Sequence, residues 1–362
     1  MRRLGTDPVV IALRSPATVV AWSLPQWEAL IRDARRANLL SRVALTLAEA
    51  GLLPRVPQAP RTHLEAARTL AQAQADSVRR EVAYIDRALA ATGLPIVLLK
   101  GAAYLLAELP AARGRLFSDI DILVPRSALA NVEGTLMLHG WQTSKTDPYD
   151  QRYYRRWMHE LPPLKHNSRQ TILDVHHAIL PTTARLKPDS RKLLAAARPL
   201  RSEPRLRVLA PTDMVLHSAT HLFCNEDVGN NLRDLVDVDS LLRSFAQEGT
   251  FWPELTSRAV ELGLARPLYY ALRYAVQILG TPVPRGVLGA AESGRPLYVT
   301  RSLMDALFLR SLQTEGADQR LASIARGSLY VRAHWLRMPP LLLVQHLAVK
   351  ALRGESGGGG IT

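Results

Sequence analysis

The chain is short of cysteine, lysine and aromatic residues and has no long apolar run; each shortage narrows the class of protein. One cysteine, Cys224, stands among 362 residues. It excludes an internal disulfide and a thiolate metal cluster and points to a reducing compartment, so a cytoplasmic location is expected. The apolar stretch over 339–352 is interrupted by Gln345, His346 and Lys350 and is too short to span a bilayer. Met1-Arg2-Arg3 is basic, but the apolar run over 9–13 is too short for a secretory signal. The expectation is a soluble chain, or at most a peripheral one.

Lysine is scarce in a different sense. Of 46 basic residues six are lysine (Lys100, Lys145, Lys165, Lys187, Lys192 and Lys350) and forty are arginine; with 32 acids the net charge is +14. An arginine-rich composition can reflect a GC-rich genome, or it can build a surface for polyanions such as nucleotides, nucleic acid or anionic lipid. Composition leaves both readings open. What the chain does have is a normal globular apolar fraction, 47%, which excludes wholesale disorder. Its length is too great for one ordinary core and implies two domains with extra helices.

Hydrophobic spacing and turn residues divide the chain. Residues 1–92 read as an N-terminal helical region: Ser23 and Gln26 form a capping box with Pro25 in the first turn, opening a helix to about residue 50 that stops at Gly51. A linker with Pro54, Pro57 and Pro60 precedes a second helix over 62–91, ended by Gly93. Residues 93–210 read as a core of the α+β class. Strands are expected over 94–99, 117–124 and 171–179, with another extended piece at 141–143 and helices over 102–109 and 127–140. Residues 211–353 read as a C-terminal helical domain, with Thr212 capping a helix to Cys224 and further helices over 231–245, 253–262, 267–279, 301–312 and 336–352. The glycine-rich tail over 354–362 is expected to be disordered.

The strongest chemical signal is Phe117-Ser118-Asp119-Ile120-Asp121-Ile122-Leu123-Val124. Side chains alternate along a strand, so Asp119 and Asp121 should project together while Ile120 and Ile122 enter the core. Adjacent carboxylates repel unless a divalent cation joins them; two solvated aspartates on an edge strand are the plain alternative. A third acid, Asp174, lies in the apolar strand Ile172-Leu173-Asp174-Val175-His176, where its charge needs either a shared metal or an arginine. Upstream, Lys100-Gly101 ends a strand and begins a helix, a position where an ammonium and free backbone N–H groups can meet phosphate.

Lys100-Gly101, Arg115 four residues before Asp119, the Asp119-x-Asp121 strand running into Leu-Val, a helix ending in Gly140 and the Leu173 to His176 stretch together resemble an uncharacterised bacterial nucleotidyltransferase family. That family is placed within the DNA polymerase beta-like nucleotidyltransferase superfamily. The resemblance is clearest over 94–180. It extends more weakly to His217, His221, Arg233, Asp234 and Asp237, which look like the family's His-containing helix and following Arg-x-x-Asp helix. It implies a mixed sheet with flanking helices and transfer of an NMP group from an NTP such as ATP. It also implies two Mg²⁺ ions (Mn²⁺ as a substitute) held by Asp119, Asp121 and Asp174. Lys100, Gly101, Arg115 and His176 would bind nucleotide phosphate, with Arg113 competing for the role of Arg115. The acceptor (peptide, protein, sugar or small molecule) is not readable. One departure from the wider superfamily is that Ala102 stands where a serine usually follows the glycine.

Alternatives remain at this point: a catalytically inactive nucleotide-binding regulator, phosphoryl transfer on the same fold, and a nucleic-acid-binding protein. No stable nucleic-acid complex is expected, because aromatics for stacking are sparse in the most basic stretch, 185–207. His176-His177 face opposite ways in a strand and so cannot easily share one metal. His217 and His221 have a helical spacing that can bind zinc, with packed or nucleotide-facing histidines preferred. Arg233, Asp234 and Asp237 suit ion pairing along one helix. A helix over 332–353 packs on the protein or, as the alternative, lies on a membrane surface.

Overall fold

Short-range signals set the first helices. In the computed structural model, which describes residues 7–201, 203–225, 229–312, 319–339 and 343, Ser23 and Gln26 form the reciprocal capping box of the helix Leu24–Arg36. The single helix expected to residue 50 is in fact two. Asn38 takes a left-handed φ of 54°, a conformation asparagine tolerates better than most residues, and a second helix, Leu40–Glu49, follows. The long helix Gln58–Ala88 starts before residue 62 because Pro60 in a first turn forfeits no hydrogen bond. It closes through a short 3₁₀ turn on Gly93, at φ 66°.

Seven short strands among the described residues form one mixed sheet. They are β1 (Ile96–Leu98), β2 (Ile120–Leu123), β3 (Trp141–Thr143), β4 (Leu164–His166), β5 (Ile172–His176), β6 (Arg198–Pro199) and β7 (Leu206–Val208), in the order β3-β4-β5-β2-β1-β7-β6. β2 lies antiparallel to β1 and parallel to β5, and β1 runs parallel to β7. The α+β class is therefore observed. The strands expected over 94–99, 117–124 and 171–179 are shorter than their apolar runs, because only the paired residues of each run are strand. Between β3 and β4 lies a helix that periodicity did not reveal, Pro148–Trp157, opened by the Asp147 side chain on two backbone N–H groups. The basic stretch after β5 is no mere connector, since it supplies β6, β7 and the helix Ser190–Ala196.

The C-terminal part is helical, as expected. Pro211–Cys224 begins at Pro211, so Thr212 lies inside the helix and does not cap it. Asn231–Phe245 matches its expected bounds. Phe251–Glu261, Ala265–Tyr274, Tyr298–Ser311 and Gln319–Arg337 follow. Of the helix expected over 336–352, the first residues complete Gln319–Arg337; most of the remainder, and the tail 354–362, lie outside the described residues. No described helix is long and apolar enough to cross a membrane. Buried residues from all three segments, such as Trp27, Ile122 and Tyr274, belong to one continuous core.

Buried ion pairs tie these segments together. Arg42 on Leu40–Glu49 donates to the carbonyls of Pro110 and Ala111 and lies 3.8 Å from Asp237 on Asn231–Phe245. Arg115, ahead of β2, donates from Nε to Asp237 Oδ2 at 2.9 Å. Asp237 thus joins the N-terminal helices, the sheet region and the C-terminal helices at one carboxylate.

Cys224 is 3% exposed at the end of its helix, and burial pushes its thiol up to about 11. The thiolate is the reactive form, so the native protein should not react with a disulfide reagent at pH 8 and should react fully once denatured. Rapid labelling of the native protein would contradict this placement.

Candidate active site

The site forms where β2 and β5 run side by side. Their parallel register sets Asp121 directly opposite Asp174, so two acids 53 positions apart in sequence become neighbours. Leu99 N–H donates to the Asp121 carbonyl at 2.9 Å, which brings the start of the helix Lys100–Leu106 to the same place. Lys100 there adopts a left-handed φ of 44°, a strained conformation for a residue with a side chain. The strain aims the ammonium at the acids: Nζ is 2.7 Å from Asp121 Oδ1.

The three acids are not equivalent. β2 begins at Ile120, so Asp119 stands just ahead of the strand and Asp121 within it. Asp119 is half-buried and lines a cavity of about 260 Å³, together with Asp174, Lys100 and Arg115. Asp121 is buried behind it, with Oδ1 bonded to both Lys100 Nζ and, at 2.9 Å, His176 Nε2. Burial alone would raise its pKa, but Lys100 and His176 outweigh that and hold the Asp121 carboxyl well below the usual range. Burial likewise opposes the Lys100 ammonium, and Asp121 with Asp119 keeps it charged.

Asp174 has no such support. Its Oδ1 is buried without a hydrogen-bond partner, and burial, followed by the negative charges of Asp121 and Glu160, pushes its carboxyl up to about 8. An unpartnered acid lining a cavity beside Asp119 fits a divalent cation. Asp119 and Asp174 would hold such an ion at the cavity, with Asp121 behind them.

The other expected residues divide. Arg115 lines the cavity, but its guanidinium is also committed to Asp237. Gly101 is buried under Arg115, and a Cβ there would overlap the Arg115 Nη1 atom, so its smallness admits an arginine. His176, expected to touch phosphate, turns both ring nitrogens to carboxylates: Nε2 to Asp121 and Nδ1 to Glu160, 3.1 Å away. Burial opposes its charge, and Glu160 and Asp121 raise its pKa in spite of that. Arg113 pairs with Glu49 away from the cavity.

The helical segment contributes more than ion pairs along one helix. Arg233 and Asp234 do pair, at 2.8 Å, and both line the cavity. Asp237, however, reaches Arg115 and Arg42. His221 lines the cavity with Nδ1 3.3 Å from Asp234 Oδ2, whereas His217 is buried and held uncharged chiefly by desolvation. Among the described residues, neither belongs to a group of three or more side chains placed to hold a metal. None of the eight basic residues of 185–207 is among the residues lining the cavity. Several have protein partners, such as Lys192 with Glu261 and Arg205 with Asp86.

Sequence reasoning missed one whole wall. Tyr153 and Tyr154, edge to face with centroids 5.6 Å apart, come from the helix Pro148–Trp157, and His159 and Glu160 from the segment after it. The Pro162-Pro163 pair after His159-Glu160, which stiffens the backbone there, was the available signal.

Comparison with curated proteins and with solved structures gives no match. Over residues 23–280, which contain every site residue expected from the sequence, the chain matches the family described as uncharacterised nucleotidyltransferase, and it belongs to that family.

Proposed function

We propose that the protein moves a nucleoside monophosphate group from an NTP to an acceptor hydroxyl in a Mg²⁺-dependent reaction. The observation that carries this reading is Asp174: a half-buried carboxylate beside Asp119 whose Oδ1 is shut off from solvent without a hydrogen-bond partner, in a cavity that also presents Lys100, Arg115 and Arg233. The ion, held by Asp119 and Asp174, would neutralise phosphate charge. Without the ion, burial and the neighbouring acids push the Asp174 carboxyl up to about 8; sharing the ion with Asp119 would favour the carboxylate, the form that accepts a proton. Its Oδ1 takes the proton of the acceptor hydroxyl as that oxygen bonds to the α-phosphorus. The α-phosphorus to bridging-oxygen bond breaks, and pyrophosphate leaves with the electron pair. Arg115 and Arg233 face the triphosphate charge, and Tyr153 and Tyr154 offer ring faces to the base. At about 260 Å³ the cavity is a little smaller than the ~300–1,000 Å³ typical of ligand pockets, which suits the phosphate end of a nucleotide with its base at the mouth.

A second reading, nucleotide binding without turnover, is favoured by the Lys100 contact, which already neutralises Asp121. Calorimetry and pyrophosphate release separate the two. With Mg²⁺ and each of the four NTPs, the full chain should bind at least one, and release pyrophosphate once its acceptor is supplied from cell extract. The Asp119→Asn/Asp121→Asn double variant should weaken metal-dependent binding by about 10–100-fold. Binding that keeps its metal dependence in that variant sinks the site assignment. Tight binding with no pyrophosphate release under any extract supports the regulator.

A further inference from the structure

One side of the cavity holds three groups that the transfer reaction leaves unused. His159, Glu160 and His176 each bring a ligand atom to within 4.8 Å of the other two. His176 Nδ1 is 3.1 Å from Glu160 Oε2, and His159 Nε2 is 3.9 Å from the same oxygen. Donors around a tetrahedral ion with bonds of ~2.0–2.2 Å stand roughly 3.3–3.5 Å apart, so small side-chain movements would close these groups on a metal. His159 Nδ1 is buried without a hydrogen-bond partner; His176 Nδ1 is buried with Glu160 Oε2 close by but makes no hydrogen bond to it, and the His176 side chain is only 5% exposed.

The backbone holds the three in place. Glu160 pairs with His176 in an isolated antiparallel bridge. Leu161 N–H donates to the Val175 carbonyl at 2.9 Å, and His177 N–H to the His159 carbonyl at 2.8 Å. Behind the site, His176 Nε2 meets Asp121 Oδ1 at 2.9 Å, and the same oxygen accepts from Lys100. A carboxylate on the far nitrogen of an imidazole fixes its tautomer, leaves the near nitrogen's lone pair free for a metal and raises its basicity. Two imidazoles and one carboxylate suit a borderline ion such as Zn²⁺ far better than Mg²⁺, which prefers oxygen ligands.

We propose that His159, Glu160 and His176 bind a divalent transition-metal ion, with Zn²⁺ the best chemical match, and that Asp121 is the positioning carboxylate behind His176. Three protein ligands leave a further position open to the cavity. The ion would clamp the segment after Pro148–Trp157 onto β5, fixing the wall that carries Tyr153 and Tyr154. This site stands on its own donor set and does not rest on nucleotidyl transfer.

Co²⁺ titration of the metal-free full chain tests it, read by the visible d–d absorption of low-coordinate Co²⁺ and reversed by Zn²⁺. Wild type should show the absorption saturating at one equivalent. His159→Asn and Glu160→Gln should lose it and weaken Co²⁺ binding by about tenfold or more, whereas Asp121→Asn should keep the absorption with about 10–100-fold weaker binding. Asp174→Asn should leave the absorption in place. No absorption in wild type overturns the proposal, as does a band that survives Glu160→Gln and disappears in Asp174→Asn. Should the ligand variants fail to fold, wild type decides alone: Zn²⁺ must raise its melting temperature, and no rise overturns the proposal. These readouts are independent of turnover, so an inactive transferase would leave them unchanged.

Discussion

Asp174→Asn should reduce NMP transfer by about 10²–10⁴-fold, the usual worth of a general base, and at the same time make the metal-free protein more stable. The loss of transfer comes from Asp174's roles as base and ion ligand; the gain in stability comes from its environment in the metal-free protein. Desolvation, with Asp121 and Glu160 nearby, pushes the Asp174 carboxyl up to about 8, while in the unfolded chain it titrates near 3.9. A folded-state pKa raised above the unfolded one contributes stability that is fully present below about pH 4 and is lost as pH climbs toward 8. At neutral pH most of that contribution has gone, because folding must keep a proton that the unfolded chain releases. Asparagine is neutral throughout and escapes the loss. Each pKa unit is worth about 1.4 kcal/mol, which sets a ceiling of ~6 kcal/mol for a shift from about 3.9 to about 8. A carboxyl lining a cavity can partly turn to water, so the realised gain at pH 8 should be on the order of 2 kcal/mol. Thermal melts in EDTA should show the variant and wild type together near pH 4 and separating as pH rises. A variant that melts lower than wild type at pH 8, or that keeps full transfer, contradicts this account of Asp174.

The largest loss of stability is expected from Asp237→Ala. The Asp237 side chain is 4% exposed and lies between Arg115 Nε, 2.9 Å away, and Arg42 Nη2, 3.8 Å away. Burial lowers the pKa of Arg42, and Asp237 is the leading influence opposing it. Burial also works against the Arg115 charge, which Asp237 more than restores. Removing the carboxylate leaves two buried guanidinium groups without their shared counter-charge. Losing one partner of a buried pair costs about 3–5 kcal/mol, a large share of the ~5–15 kcal/mol that stabilises a folded protein. The urea midpoint should fall accordingly, with little change in slope. Replacing the charges together, as in Asp237→Leu/Arg42→Met/Arg115→Met, should recover much of the loss. A single variant that loses less than about 1 kcal/mol would show that the three groups stabilise little by being together.

The candidate site was legible where its signals are short-range. Asp-x-Asp after an arginine, Lys-Gly at the end of an apolar run and an acid within Ile172-Leu173-Asp174-Val175 are local patterns, and the chain brings these residues to one place. Their individual roles were not legible. Whether Asp119 lies within the strand with Asp121 depends on where β2 begins, and β2 begins at Ile120 because that residue is the first to pair with β5, at Leu173. Gly101 looks like a phosphate-approach glycine, yet the group it admits is Arg115. Glu160, which faces His176, follows an unrecognised helix and belongs to no motif.

From the sequence alone come the capping box at Ser23, the helix Asn231–Phe245 and the α+β class, since each rests on patterns local to its own segment. Tertiary structure decided the partners. Arg233, Asp234 and Asp237 carry the spacing of an ion-pair set on one helix, but Asp237 bonds to Arg115, 122 positions away. Helical spacing specifies only which neighbours are within reach; a buried charge goes to the counter-charge that packing leaves beside it, and packing depends on contacts between distant segments. The same holds for Asp121 and Asp174: each acid is visible in its own strand, and only the pairing of β2 with β5 makes them one site.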